Sequence, residues 1–350
     1  MSAFLPTVIT TPRRGNPLVV LQSSAAQSSL PILRQILARS SDKSKARCYN
    51  ILFSFLYLPS SILDDSSSQN IEVHDWLGRI PGYHESTLDT RNEILSAVKQ
   101  APVESINVVI DSVDTLLSNV GTTKETYRLL YDLLSIIKSR PNPSRLILHG
   151  TQPSKLIPLL TQTAFSPSIA HVIVHPTSLL AYVATEYLTP PPPASPAAKF
   201  WSVFLPISER GYDTEQVTFG ARGEGSGDAS EMVVEIILRG NDGSSKKRTV
   251  ERVLEGWSST EGPCPLTKLA RLKGSRPSAM SPEAAPDPTK NVSFNLSLTS
   301  SQQESRANVP LPYAHEGRAL ENQPTPGAIF YDPDSADDID DDDPDEDLDI

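Results

Sequence analysis

Apolar positions along residues 17–176 fall into short unbroken runs separated by stretches with a helical stripe. Val19, Val20 and Leu21 form the first run. After it, Leu30, Leu33 and Leu37, with Ile32 and Ile36, recur at spacings of three and four, the period of an α-helix with one buried face. Ser28 or Ser29 is placed to cap that helix, and Pro31 falls in the first turn, where its missing N–H costs nothing. Residues 51–58 are a second run without alternation, as expected of a strand covered on both faces. The segment 86–89 caps a helix reaching Val98, and residues 106–111 make a third strand. Thr122 and Glu125 have capping-box spacing, and Leu129, Leu130, Leu133, Leu134 and Ile137 share one face of the helix after them. Pro141 and Pro143 end it.

Strands at 146–149 and 171–175, with a helix at 153–160 between them, continue the alternation. Five strands separated by helices imply a parallel sheet with helices on both faces. The character changes after Tyr182. Prolines 190–193 lie in a spacer spanning 190–196, and residues 200–207, 215–219, 231–239 and 248–257 read as further strands. The last two flank Asn241, Asp242 and Gly243, a hairpin signal, although the connection is longer than a two-residue turn. The expected architecture is an α/β body over 1–271, a parallel sheet with flanking helices extended by antiparallel strands. From 272 to 350 the chain is rich in Pro, Ser, Ala, Asn and Gln without periodicity and is expected to be a disordered tail. Two apolar islands interrupt that tail. One spans 292–299 and places Val292, Phe294, Leu296 and Leu298 on alternate positions; the other, at 309–313, contains Leu311 and Tyr313. Alternating apolar residues suit addition of a strand to a sheet edge.

Charge sharpens this division. The net charge is -11, but 12 of the 42 acids lie in the stretch 332–350, which holds no base and leaves 30 acids against 31 Lys+Arg elsewhere. The body is nearly neutral, which excludes a globally basic nucleic-acid binder. Two cysteines make no disulfide framework and point to a reducing compartment. No apolar run approaches the ~20 residues of a membrane helix. The four arginines and absent acids of residues 1–41 resemble a transit peptide, but a core strand at 17–22 leaves little removable leader; cytoplasm and nucleus are the expected locations.

The connection Gln22, Ser23, Ser24, Ala25, Ala26, Gln27, Ser28, Ser29 occupies the place of a phosphate-binding loop between strand and helix. Such a loop needs glycines, so that backbone N–H groups can wrap a phosphate, and a lysine to pair it. Neither is present. Asp111, closing the run Val108, Val109, Ile110, sits where the magnesium-holding acid of such an enzyme would be; Asp111 and Asp114 also read simply as turn residues at a strand end. His171 and His175 share a strand face but stand about 13 Å apart, too far to share a metal. The glycines of 223–227 lie between expected strands and read as a loop, and the sequons at Asn291 and Asn295 have no role in a chain that is not secreted. No metal or cofactor is expected. Lys246, Lys247 and Arg248, and separately Lys268, Arg271, Lys273 and Arg276, are the basic clusters that could touch RNA. Ile339, Leu348 and Ile350 punctuate the acidic end, which reads equally as a solubilising run or as a ligand for a basic groove.

The closing Tyr331-Asp-Pro-Asp-Ser-Ala-Asp-Asp338 and Asp343-Pro-Asp-Glu-Asp-Leu-Asp-Ile350, with Phe294 to Thr299 and Val309 to Tyr313 before them, resemble the carboxyl-terminal signature of the Elongator complex protein 5 family in a fungal form. The body, with its loop lacking glycine and lysine and with Asp111, is similar to that family's RecA-like domain. The resemblance implies a non-catalytic subunit that joins Elongator proteins 4 and 6 in a hexameric ring. The ring is an accessory to tRNA wobble-uridine modification, binds tRNA and is linked to ATP hydrolysis as an assembly, while the carbon chemistry belongs to another subunit. On this reading residues 22–24, 28, 29 and 111 are a vestigial nucleotide site, and Phe294, Leu296, Leu298, Leu311, Tyr313, Leu348 and Ile350 contact partners. Two other expectations stand beside it: a divergent phosphate-loop NTPase using Ser28 or Ser29 with Asp111, and an adaptor acting through its acidic tail.

Overall fold

The computed structural model of the chain describes residues 4–10, 16–40, 48–63, 71–79, 89–220, 229–241 and 248–273, with positions 301 and 304. The chain divides into units 1–280 and 281–350, and the sheet with its helices lies in the first. The parallel strands are β1 (Leu18–Ser23), β2 (Tyr49–Ser54), β3 (Ile71–Asp75), β4 (Ile106–Ile110), β5 (Arg145–Thr151) and β6 (Ile169–Pro176). Antiparallel strands β7 (Glu231–Asn241), β8 (Arg248–Ser258) and β9 (Gly262–Cys264) extend the sheet beyond β6, giving the order β3-β2-β4-β5-β1-β6-β7-β8-β9. The expected parallel sheet with flanking helices, extended by antiparallel strands, is observed.

Strands β1, β2 and β4 are mostly apolar and almost wholly buried because both faces of the sheet are covered. On one face Leu18, Val20, Phe53, Val108, Ile110 and Leu148 pack against helices α4 (Thr90–Gln100), α5 (Val113–Val120) and α6 (Thr123–Lys138). On the other, Val19, Leu21, Leu52, Val109 and Ile147 meet α1 (Phe4–Thr10), α2 (Leu30–Ser40) and α3 (Pro59–Ile62). Helix α6 shows the link from sequence to packing: Leu129, Leu130, Leu133, Leu134 and Ile137 are all buried, and each contributes roughly 1.5–3 kcal/mol by leaving water. Its amino terminus is closed by Thr122, whose side chain accepts from the Glu125 N–H. Asp89 and Ser112 cap α4 and α5 in the same way, and Gly121, at φ +93°, ends α5 in a conformation that side chains resist.

Four regions differ from the expectation. Residues 200–207 and 215–219, expected as strands, lie in helices α9 (Ala197–Ser208) and α10 (Gly211–Phe219). Phe200, Phe204 and Ile207 fall at i, i+4 and i+7, so one helical face is buried against β7 through Val233 and against α8 (Thr177–Glu186) through Leu179, Leu180 and Val183. The helix expected over 153–160 shrinks to α7 (Ile157–Leu160), because the Ser154 hydroxyl accepts from the Leu156 and Ile157 amides and makes a turn of the preceding residues. Strand β3 carries the mixed sequence IEVHD at the end of the sheet and gives no continuous apolar run. The expected tail, including Phe294, Leu296, Leu298, Leu311, Tyr313, Leu348 and Ile350, lies outside the described residues, as do Lys246, Lys247 and the Arg248 side chain.

Candidate functional site

The carboxyl ends of β1, β4 and β5 meet where strand order leaves β5 between the other two. Ligands of open α/β sheets bind in such a place, and the sequence put the phosphate-loop position and Asp111 there. Ser23 and Ser29 are bonded to each other there, and His149 links them to the Asp111 backbone. Ser23, at the end of β1, receives hydrogen bonds from the Ser29 N–H at 2.8 Å and, hydroxyl to hydroxyl, lies 2.9 Å from Ser29 Oγ. On its other side Ser23 Oγ is 2.8 Å from His149 Nε2. The remaining ring nitrogen, Nδ1, is 2.6 Å from the Asp111 carbonyl. A carbonyl only accepts, so Nδ1 carries the proton and Nε2 accepts from the Ser23 hydroxyl. Burial pushes the His149 pKa down and keeps the ring neutral, as this arrangement requires.

Residues 24–27 close on themselves. Ser24 N–H donates to the Gln27 carbonyl at 2.9 Å and Gln27 N–H to the Ser24 carbonyl at 3.3 Å. Ser28 is exposed, and its hydroxyl accepts from the Leu30 N–H at the start of α2. Gln22 is buried, its Oε1 accepting from His171 Nε2 at 2.9 Å. Of the six site positions drawn from the sequence, Ser23, Ser29 and Asp111 therefore join one network, whereas Gln22 faces β6 and Ser24 and Ser28 serve the local turn.

Asp111 is fully buried. Its Oδ1 accepts from the Phe55 N–H at 2.7 Å, and its Oδ2 accepts from Leu56 at 3.0 Å and Tyr57 at 2.8 Å. Three consecutive amides thus wrap the carboxylate and fix the chain leaving β2. Burial raises the Asp111 pKa, opposed by the backbone amides of residues 55–57 and of Ser112, which favour the charged form. Asp114 performs the same service for the end of β5, accepting from Ser154 Oγ at 2.5 Å and Thr151 N–H at 3.2 Å. Gly150 lies beneath it: a Cβ there would come within 2.9 Å of Val113 Cγ2 and 3.0 Å of Ile157 Cδ1.

Sequence reasoning missed His149 and Tyr57. The edge of the Tyr57 ring meets His149 with centroids 5.8 Å apart, and burial raises the Tyr57 pKa. A histidine ending a buried strand was the available signal. The serine–histidine pair has the connectivity of a nucleophile and its base, yet Ser23 is 3% and His149 1% exposed, so the hydroxyl faces no solvent-borne substrate. His171 and His175 likewise have separate partners, Gln22 and Glu235, the latter 2.9 Å from His175 Nε2. Among the described residues no three His, Cys, Asp or Glu side chains form a metal site. Lys268, one of the basic residues singled out, pairs with Glu261 at 2.7 Å.

Comparison with known proteins adds three observations. A KaiC-like protein from the archaeon Pyrococcus horikoshii superposes with a TM-score of 0.39 and 9% identity, over 71% of this chain and 88% of that one. Elongator complex protein 5 of Danio rerio is 41% identical over 68 residues, and the proteins of that name from Mus musculus and Homo sapiens are each 43% identical over 70. Those segments make up 18% of this chain and 23% of each relative, so the match spans under a quarter of the relatives' length. The family described as Elongator subunit Iki1 matches residues 6–332, nearly the whole length, and the chain belongs to that family.

Proposed function

We propose that this protein is a non-catalytic, RecA-like structural subunit of Elongator that joins Elongator proteins 4 and 6 in a hexameric ring, in cytoplasm and nucleus, and supports tRNA wobble-uridine modification. The observation that carries the non-catalytic part is the employment of Asp111. A magnesium-holding acid must turn free oxygens toward the cation, whereas both Asp111 oxygens are held by the amides of residues 55–57. The loop beside it offers neither glycine nor lysine to a phosphate, and its buried serines are bonded to each other and to His149. The near-neutral body suits packing against sister subunits.

Two measurements test the reading. Co-expression with Elongator proteins 4 and 6 should yield a stoichiometric ring, and a chain that stays monomeric in their presence contradicts the assembly. Titration of the isolated chain with ATP and Mg²⁺ should leave its Tm unchanged; a saturable rise would mark a native nucleotide site and favour a divergent NTPase.

A further inference from the structure

An open pocket of about 460 Å³ lies between β3 and α4, at the end of the sheet away from the antiparallel extension. Its described lining includes two acids, Glu72 and Glu93, and three aromatic rings, Tyr49, His74 and Trp76, and no lysine or arginine. The Glu72 carboxylate is held in place: Tyr49 Oη donates to Oε2 at 2.6 Å, and His74 Nε2 lies 2.8 Å from Oε1. His74 is in turn stacked on Phe53, with centroids 4.9 Å apart and planes 17° from parallel. The result is a fixed carboxylate beside a flat aromatic wall.

A second ring and acid of the lining show what such a combination receives. Arg79 lays its guanidinium 4.5 Å from the Trp76 ring centroid and donates to Glu93 Oε2 at 2.6 Å. The chain has thus already built one guanidinium seat from a ring and an acid at this place. Glu93 Oε1 is buried with no hydrogen-bond partner among the described residues. Phosphates and other anions are disfavoured by the two acids, and Glu72, His74 and Glu93 do not come together as the ligands of one metal.

We propose that this pocket is a docking site for an arginine side chain of a partner protein, with Glu72 as its counter-charge, the His74 ring as its flat wall and the edge of β3 as the track for the segment that carries it. Charge complementarity names the occupant, and β3, the end strand among the described residues, supplies the backbone edge along which an extended segment can lie. Planarity favours guanidinium over ammonium, because only the former lies flat on a ring while its N–H groups point at a carboxylate.

The test uses the full chain, ¹⁵N-labelled, titrated with N-acetyl-arginine amide, N-acetyl-lysine amide and the neutral isostere N-acetyl-citrulline amide, following the backbone amides of residues 72–76. The arginine compound should shift them saturably, the citrulline compound should not, and lysine should bind more weakly. Glu72→Gln keeps the shape and should raise the Kd for the arginine compound at least about tenfold. Ser96→Arg, from the exposed face of α4 beside the pocket, should abolish binding while leaving the circular dichroism spectrum unchanged. Absence of saturable shifts, equal binding of arginine and citrulline or of arginine and lysine, or an unchanged Kd in Glu72→Gln would each overturn the assignment. No sister subunit or nucleotide enters these measurements, so their outcome is independent of the assembly reading.

Discussion

At the scale of single residues, the informative change is in what Asp111 does. Three N–H groups depend on its carboxylate, so Asp111→Ala should lower the free energy of unfolding by about 2–4 kcal/mol, and Asp111→Asn, which keeps one acceptor oxygen, by less. Urea denaturation measures this. A metal-ligand carboxylate standing idle would give the opposite result, since its removal relieves a buried charge. The second residue-scale prediction concerns pH. Burial lowers the His171 pKa from 6.5 to about 4, with Glu235 opposing the shift and Arg252, Arg239 and His175 adding to it. The folded state therefore binds this proton less readily than the unfolded chain. The associated stability is present above the unfolded pKa of about 6.5 and is lost as pH falls toward 4. Between pH 7 and pH 5 the wild type should lose about 2 kcal/mol more than His171→Gln; equal losses in the two proteins would refute the assignment.

At the scale of elements, the sequence was legible where one periodicity ruled. The buried stripe of α6, the caps at Asp89 and Thr122 and the apolar strands β1, β2 and β4 all follow from spacing alone. Helix α9 was misread because Phe200, Trp201, Val203, Phe204 and Ile207 are residues that strands favour, and Pro206 inside the helix looks like a terminator. Packing overrode propensity there: Phe200 and Phe204 stack with centroids 5.2 Å apart and His175 meets Phe204 edge-on. Phe204→Ala should accordingly cost about 3–5 kcal/mol, as for a core residue, whereas a surface strand position would tolerate it; thermal denaturation decides. The site was half legible. Ser23, Ser29 and Asp111 could be named from their places after β1 and β4, but the link from the serines to Asp111 runs through His149, which joins them only when β5 enters between those strands. Gly150 belongs to the same junction, and Gly150→Ala should destabilise by about 1–3 kcal/mol because Val113 and Ile157 must move.

At the scale of the whole molecule, the three apolar clusters formed among the described residues draw on positions between 4 and 272. A chain ending at residue 280 should therefore unfold at the same denaturant midpoint as the full chain, and a lower midpoint would show that the second unit contributes to stability. The central strand carries a further consequence. β1 is synthesised well before the strands on its two sides, β5 and β6, and Ser23 reaches His149 across 126 residues. Long-range pairing of this kind is slow, because the loop entropy must be met before the contacts form. While the ribosome makes the intervening chain, the unpaired edges of LVVLQS are open to wrong partners. The nascent chain should thus be a chaperone client until about residue 176 has emerged, and ribosome-bound chains stalled before β5 should be more sensitive to protease than those stalled after β6.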